Sequence, residues 1–584
     1  MDASSLGIHY DLTGLSEIAV RAFRKWWAYG LVAALGIMLR AIVPMDIVWG
    51  SGHDSQLQLV LARNIANGFW LGGELVPEMW VGSQWNLALA KGVGYPLFLV
   101  VVQPTGLNPV LSAYLLYLVG ALLVARSFTV WFPKWWSIAV FTVLTFSPAM
   151  FGGDFSKVYR NNLIAALALL ALGLATFLAQ LLKIARLHPS QRALGYRCYV
   201  QAALLGLCFG ALWITRLDVY WIAIACVVAI ASVGWSAVCH RSSRLRLVLP
   251  SVAIIIGTAL VIPLAVMMTN QVQYGIRAVD DFGSGPIAET QILLSKIEAA
   301  PVHPLVHVSA EQRRKAAAVS PTMARIAVQL EDPNSNWKLI PTIIEQGVTG
   351  ESAGWFAWEL RDAPVRAGLV STLTELHNFF GKIEAELRQA CESGELQCTA
   401  PGEFAPGVRF VTQVDRRQLL EQFISSLRIH SRGAGAPSFF NITPLGIPDL
   451  DRLWTDVVNG VDTTASPRQV QGPARLFTRI SQVLTIAVSV AIMLASAVLA
   501  TQRRRPSWTA LVFGCGCLTG VLINAFIVTW FSIEIGVSTE NNAAYLFASQ
   551  SFFYVGLLVV LAAVSQPLLG RTQSLRSSDI PETL

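Results

Sequence analysis

The chain has 584 residues, of which 54% are hydrophobic and 14% charged, and its mean hydropathy is +0.53. That balance excludes an ordinary soluble protein, and repeated apolar runs of about 20 residues imply many membrane spans. The net charge of +7 does not point to nucleic acid, because the basic residues gather in short loops between apolar runs, where they set orientation.

In chain order, Arg21, Arg24 and Lys25 precede a first span at about 26–45, an apolar run too long for a signal-peptide core. Arg40, near its far end, either snorkels to the interface or lines a cavity. In the following loop, 46–96, Asp54 opens a helical segment. Leu57, Leu61, Ile65 and Phe69 repeat there at four-residue spacing before Gly72-Gly73 end the run. Gln58, Arg63, Asn64 and Asn67 fall on the other side. The pattern suits a helix lying flat in the membrane interface, its polar side facing a chamber. Lys91 arrives at the far end in a turn rich in Gly and Pro, and the apolar stretch after it is too short to cross.

Further spans are expected at about 109–127, 135–150, 161–182, 198–214, 219–238 and 247–269. The polar segment 270–472 has no run of spanning length and reads as one folded domain. Spans at about 474–500, 508–531 and 542–565 follow, then a Ser/Arg-rich tail, 567–584, expected to be disordered.

The fold class is therefore an all-α polytopic membrane protein with about 10–11 transmembrane helices. It divides into a first membrane module (1–269), a mixed or mainly α extracytoplasmic domain (270–472), a second membrane module (473–566) and the tail. With both termini in the cytoplasm, the arginine clusters of the short loops, Arg503 to Arg505 among them, fall inside. The 46–96 loop, the 151–160 loop, the 215–218 hairpin and the polar domain then fall outside. No internal repeat is visible, which counts against a secondary transporter. Cys391 and Cys398 lie in the polar segment, and outside the cytoplasm a disulfide between them is expected. The cysteines in or beside apolar runs read as buried apolar side chains.

Four groups of polar residues converge on the outer face: His53-Asp54, Lys91, Lys157-Tyr159-Arg160 and Arg216-Asp218. Basic residues are depleted on that side, so these need a reason, and a bound phosphate supplies one through charge-assisted hydrogen bonds. A carboxylate among them can take the proton from an attacking hydroxyl. Each has a plainer alternative. Asp54 also fits a helix N-cap, His53 a locally bonded imidazole, Lys91 and Arg160 headgroup anchors, and Arg216-Asp218 a hairpin ion pair. Asp154 is a candidate second carboxylate, and Asp46 reads as an interfacial charge. No Gly-rich nucleotide cradle, HExxH or CxxC site stands out.

As a set, these residues resemble the motifs of membrane-embedded glycosyltransferases of the GT-C fold, in particular the aminoarabinose and protein-mannosyl transferases. Members place an acidic residue just after span one, here His53-Asp54, where many have Asp-Asp, Asp-Glu or Asp-x-Asp. Their Lys-Pro-Pro-Leu-like turn before span two resembles Lys91-Gly92-Val93-Gly94-Tyr95-Pro96-Leu97, with Gly after the lysine. Tyr159-Arg160-Asn161-Asn162 resembles their basic segment opening span four, and Trp213-Ile214-Thr215-Arg216-Leu217-Asp218 a Trp-hydrophobic-Thr-Arg-Glu pattern. The resemblance covers about 20–270. It implies an enzyme of the bacterial inner membrane that moves a sugar from a polyprenyl-phosphate donor to an extracytoplasmic glycan, lipid or protein acceptor, with inversion. Asp54 would be the general base, assisted by His53, with Lys91, Arg160 and Arg216 on the donor phosphate. Asp154, Tyr159, Asp218 and Arg40 are further candidates. No cofactor is required on this reading, and a divalent metal is left open. The partners are the donor lipid, the acceptor and membrane lipids, not nucleic acid. The alternatives are a lipid-linked glycan ligase, polymerase or flippase, or a non-catalytic transporter or envelope-assembly protein.

Overall fold

The computed structural model describes residues 12–42, 52–71, 76–77, 84–85, 89–130, 132–151, 155, 158–187, 192–216, 220–238, 245–300, 303, 305–339, 348–399, 416–432, 471–502, 508–534 and 545–565. The architecture is helical. Seven helices among these residues are long and apolar enough to cross a membrane: Pro109–Ser127, Arg160–Leu182, Ala193–Thr215, Leu247–Tyr274, Gln482–Leu499, Ala510–Ile533 and Ala548–Ser565.

Helix α1 (Leu12–Ile42) carries the first apolar run and α2 (Gly52–Ala66) follows it. A two-residue antiparallel pair, β1 (Val76–Pro77) and β2 (Gln84–Trp85), precedes the short α3 (Gly94–Val102). Helix α4 (Pro109–Ser127) starts where Asn108 accepts hydrogen bonds from the Val110 and Leu111 amides and Pro109 pre-sets the first turn. The expected third span, 135–150, is instead two pieces, α5 (Lys134–Thr145) and a single turn, Pro148–Phe151. Pro148 disfavours helical backbone at the residue before it. The 12 residues of α5 rise only about 18 Å, short of a hydrocarbon core of about 30 Å.

Helix α6 (Arg160–Leu187) forms the centre of the bundle, with 89% of its spanning window buried. It touches α4 backbone to backbone. A Cβ on Gly120 would lie 2.6 Å from the Leu170 amide nitrogen, and one on Gly173 would lie 2.8 Å from the Gly120 carbonyl oxygen. Small residues permit this approach where helices associate in lipid. Helices α7 (Arg192–Thr215), α8 (Tyr220–Val238) and α9 (Leu245–Tyr274) continue the bundle. Only 11% of the α9 window is buried, and Val252, Ile256, Leu260, Leu264 and Met268 lie on its outer surface, the chemistry of a lipid-facing helix.

The polar domain folds around α10 (Pro286–Lys296), α11 (Ala310–Val319), α12 (Phe356–Arg366) and α13 (Leu373–Ser393). Capping boxes open α11 (Ser309 with Gln312) and α13 (Thr372 with Glu375), and Gly394, at φ 75°, ends α13 in the left-handed conformation. The Cys391–Cys398 disulfide is present, and it holds the chain after α13 beside Ile297.

Two apolar cores result, and α2 lies between them. Leu59, Val60 and Ala62 join the bundle core, whereas Leu57 and Leu61 join the polar-domain core, together with Leu89, Val93 and Ile214. Gln58 and Asn64, expected on an open polar side, are therefore buried.

The 270–472 segment also divides between packings. Helix α14 (Arg416–Arg432) packs mainly against the bundle helices α16 (Trp508–Glu534) and α15 (Gln471–Gln502). Polar pairs fix it there. Ser426 bonds Thr529 at 2.8 Å, and the His430 ring bonds Ser549 at 2.7 Å, at the start of α17 (Phe547–Ser565).

Candidate functional site

The turn 89–93 is held in the polar-domain core through Leu89, Ala90 and Val93. Leu89 adopts φ 62°, a left-handed conformation that is sparsely populated for a residue with a side chain. What holds it is burial of its side chain and a 2.8 Å hydrogen bond from the Asp281 amide to its carbonyl oxygen. The next residues press against the end of α7. A Cβ on Gly92 would lie 2.3 Å from the Ile214 carbonyl oxygen, and one on Gly94 would lie 2.2 Å from the Thr215 hydroxyl oxygen. Those glycines let the turn seat against the residues just before Arg216. Lys91 places its ammonium 5.0 Å from the centre of the Trp358 ring, a cation–π contact with α12.

Arg216, just after α7, donates to the Asn161 side chain at 3.4 Å and lies 4.4 Å over the Tyr545 ring. The Tyr545 hydroxyl is 3.4 Å from that of Tyr159, and Arg160 lies 5.7 Å from the Tyr159 ring centre. The end of α7, the start of α6 and the segment before α17 thus meet at one place, and the Lys91 turn packs on the same helix end.

Two acidic residues after α9 join this end of the bundle. Asp281 is fully buried; it accepts from Arg361 Nε and Nη2, each at 3.0 Å, and meets His377 Nε2 at 2.6 Å. Asp280 caps its own turn, Oδ1 accepting from the Phe282 and Gly283 amides at 3.1 and 2.6 Å. Burial pushes the Asp280 carboxyl above the usual range. The Gly283 amide and the positive charge of Arg160 oppose that rise, and the charge of Asp281 adds to it.

Other expected residues fall elsewhere. His53 and Asp54 sit in the first turn of α2, with side chains outside the described residues. Asp46, Asp154, Lys157 and Asp218 also lie outside them. Arg40 is 3% exposed and packs 5.7 Å from the Phe155 ring centre. Gln58, one turn after Asp54, is fully buried, and among the described residues neither end of its amide meets a hydrogen-bond partner. A buried amide in that state costs about 1–3 kcal/mol per missing bond unless water or a ligand completes it. Asp280, Asp281, Trp358 and Tyr545 were not singled out from the sequence. The Asp-Asp-Phe-Gly turn directly after span seven was the available signal for the first two. Among the described residues no group of three or more His, Cys, Asp or Glu side chains is placed to hold a metal ion.

No family model matches the chain, and no curated protein is matched by it. Among solved structures, the chain is similar to ArnT from Cupriavidus metallidurans in the apo state. The identity is 12% over 92% of this chain and 76% of that one, and the TM-score is 0.30.

Proposed function

We propose that the protein is a membrane glycosyltransferase of the GT-C type, using a polyprenyl-phosphate sugar. It sits in the bacterial inner membrane with both termini in the cytoplasm and the polar domain outside. The observation that carries this reading is the meeting of segments far apart in sequence at one end of the bundle. Arg160 opens α6, Arg216 follows α7, and the Lys91 turn seats on the α7 end through Gly92 and Gly94.

On this reading the phosphate of the donor lipid lies among Lys91, Arg160 and Arg216. They offset the charge that grows on the phosphate oxygen as its bond to the anomeric carbon breaks. An acceptor hydroxyl attacks that carbon from the opposite side, giving inversion. Asp54, at the head of α2, takes the hydroxyl proton, with His53 orienting it. The products are the glycosylated acceptor and the polyprenyl phosphate.

The test is turnover of a panel of polyprenyl-phosphate sugars by the protein in lipid vesicles, with envelope extract as acceptor. Wild type consumes at least one donor and Asp54→Asn consumes none, at unchanged thermal stability. Equal turnover by Asp54→Asn removes the assigned base; no donor bound or consumed by wild type removes the transferase reading.

A further inference from the structure

The first-loop motifs account for the donor side of the site and leave open what receives the sugar. The 280–283 turn answers from the polar domain. Its Asp280 carboxylate uses one oxygen, Oδ1, to cap the turn; among the described residues Oδ2 makes no hydrogen bond, and the residue is half-buried, not closed off from solvent. Arg160 lies within electrostatic reach. Beside it, Phe282 and Trp358 stand with ring centres 4.6 Å apart at 53°, both half-buried, and Lys91 lies over Trp358. The turn is bolted in place by Asp281: its amide bonds the Leu89 carbonyl, and its carboxylate is gripped by Arg361 of α12 and His377 of α13. One short turn therefore fixes a carboxylate oxygen and an aromatic wall relative to the Lys91 turn.

We propose that Asp280 is a specificity-determining residue that binds a hydroxyl of a neutral, polyhydroxylated acceptor, a carbohydrate, with Asp281, Arg361 and His377 as its rigid mount. This rests on the transferase reading above. The chemistry selects the class. A carboxylate oxygen accepts from hydroxyls, and the half-buried Phe282 ring offers an apolar surface to the C–H face of a sugar ring, the faces of Trp358 being taken by Lys91 and Trp337. A cationic acceptor would also suit a carboxylate beside aromatics, but Lys91 and Arg160 occupy the same neighbourhood and repel it. Asp280 takes no proton permanently in this role; it holds the acceptor while another hydroxyl attacks.

The test uses full-length protein in lipid vesicles, with a polyprenyl-phosphate sugar that wild type consumes and a panel of neutral oligosaccharides and their amino-sugar counterparts as acceptors. Donor binding and initial rates against acceptor concentration are measured separately. Wild type prefers neutral acceptors. Asp280→Asn binds donor within twofold of wild type and raises the acceptor KM roughly tenfold or more, as loss of a hydrogen bond to a charged group predicts, with a smaller change in kcat. Arg361→Lys, which retains a cation in the mount, loses less than Arg361→Met. Thermal unfolding is followed for every variant. An unchanged acceptor KM in Asp280→Asn, or a preference for amino-sugar acceptors, overturns the assignment while the transferase reading stands. A wild-type protein that binds no donor overturns both.

Discussion

Two clusters of charge in this molecule are built in opposite ways. In the polar domain, Arg313 is 2% exposed and enclosed by carboxylates. Its Nε and Nη2 donate to Glu331 at 2.7 and 2.9 Å, and its Nη1 to Glu351 at 2.7 Å. All three residues lie within 38 positions of one another in one folding unit. At the bundle end, Lys91, Arg160 and Arg216 have aromatic faces and an amide among their contacts, and the Asp280 carboxylate lies within electrostatic reach of Arg160; the segments that meet there are up to 386 positions apart. The first arrangement closes a charge inside the protein, where removing one partner strands the others. The second gathers cations at a place that many segments must reach together. Damage to the first should appear as lost stability, and damage to the second as lost ligand.

The contrast can be broken or sharpened by substitution. Arg313→Met leaves Glu331 and Glu351 without their central cation, and should destabilise the polar domain by about 3–5 kcal/mol in chemical unfolding. A loss under about 1 kcal/mol would show that the network is screened like a surface pair.

His430 gives a second stability measure, read through pH. Burial pulls its pKa down from 6.5 to about 4, with the hydrogen bond to the Ser426 carbonyl opposing the shift. The unfolded chain therefore binds more protons between those two values. The stability contributed by neutral His430 is fully present above pH 6.5 and is lost as pH falls toward 4, about 3 kcal/mol in all. Thermal unfolding in detergent across that window should show the loss in wild type and not in His430→Gln.

Gly92→Ala drives a methyl to 2.3 Å from the Ile214 carbonyl oxygen. Overpacking of that kind costs about 1–3 kcal/mol, and here it should displace the Lys91 turn. Donor binding should weaken more than Tm falls. Arg216→Gln removes a charge at the site's edge and should weaken donor binding roughly tenfold to a hundredfold, at nearly unchanged stability. Equal losses of stability and binding in both variants would erase the distinction between the two clusters.

The helical membrane fold was legible in the sequence, because long apolar runs announce spans without any tertiary knowledge. Lys91, Arg160 and Arg216 stood out as basic residues at the ends of expected spans, and the structure brings their segments to one end of the bundle. What escaped depended on distant partners. Asp281 is a mount only because Arg361 and His377 arrive 80 and 96 residues later. Gln58 and Asn64 mark a polar face on α2 by spacing alone, yet Leu57 and Leu61 join one core while Leu59, Val60 and Ala62 join the other, and both polar residues are buried between them. In α14, Ser426 and His430 were not singled out from the sequence, and they supply its polar grip on α16 and α17. The third expected span is interrupted before Pro148, a break that hydropathy does not register.

The most direct measurement is binding of polyprenyl-phosphate sugars to the protein in lipid vesicles, comparing wild type with Lys91→Ala and Arg313→Met. The account predicts that wild type binds a donor, that Lys91→Ala loses most of that binding while keeping its Tm, and that Arg313→Met loses Tm first. Donor binding that survives Lys91→Ala at full strength would contradict the assignment of the bundle end as the phosphate site.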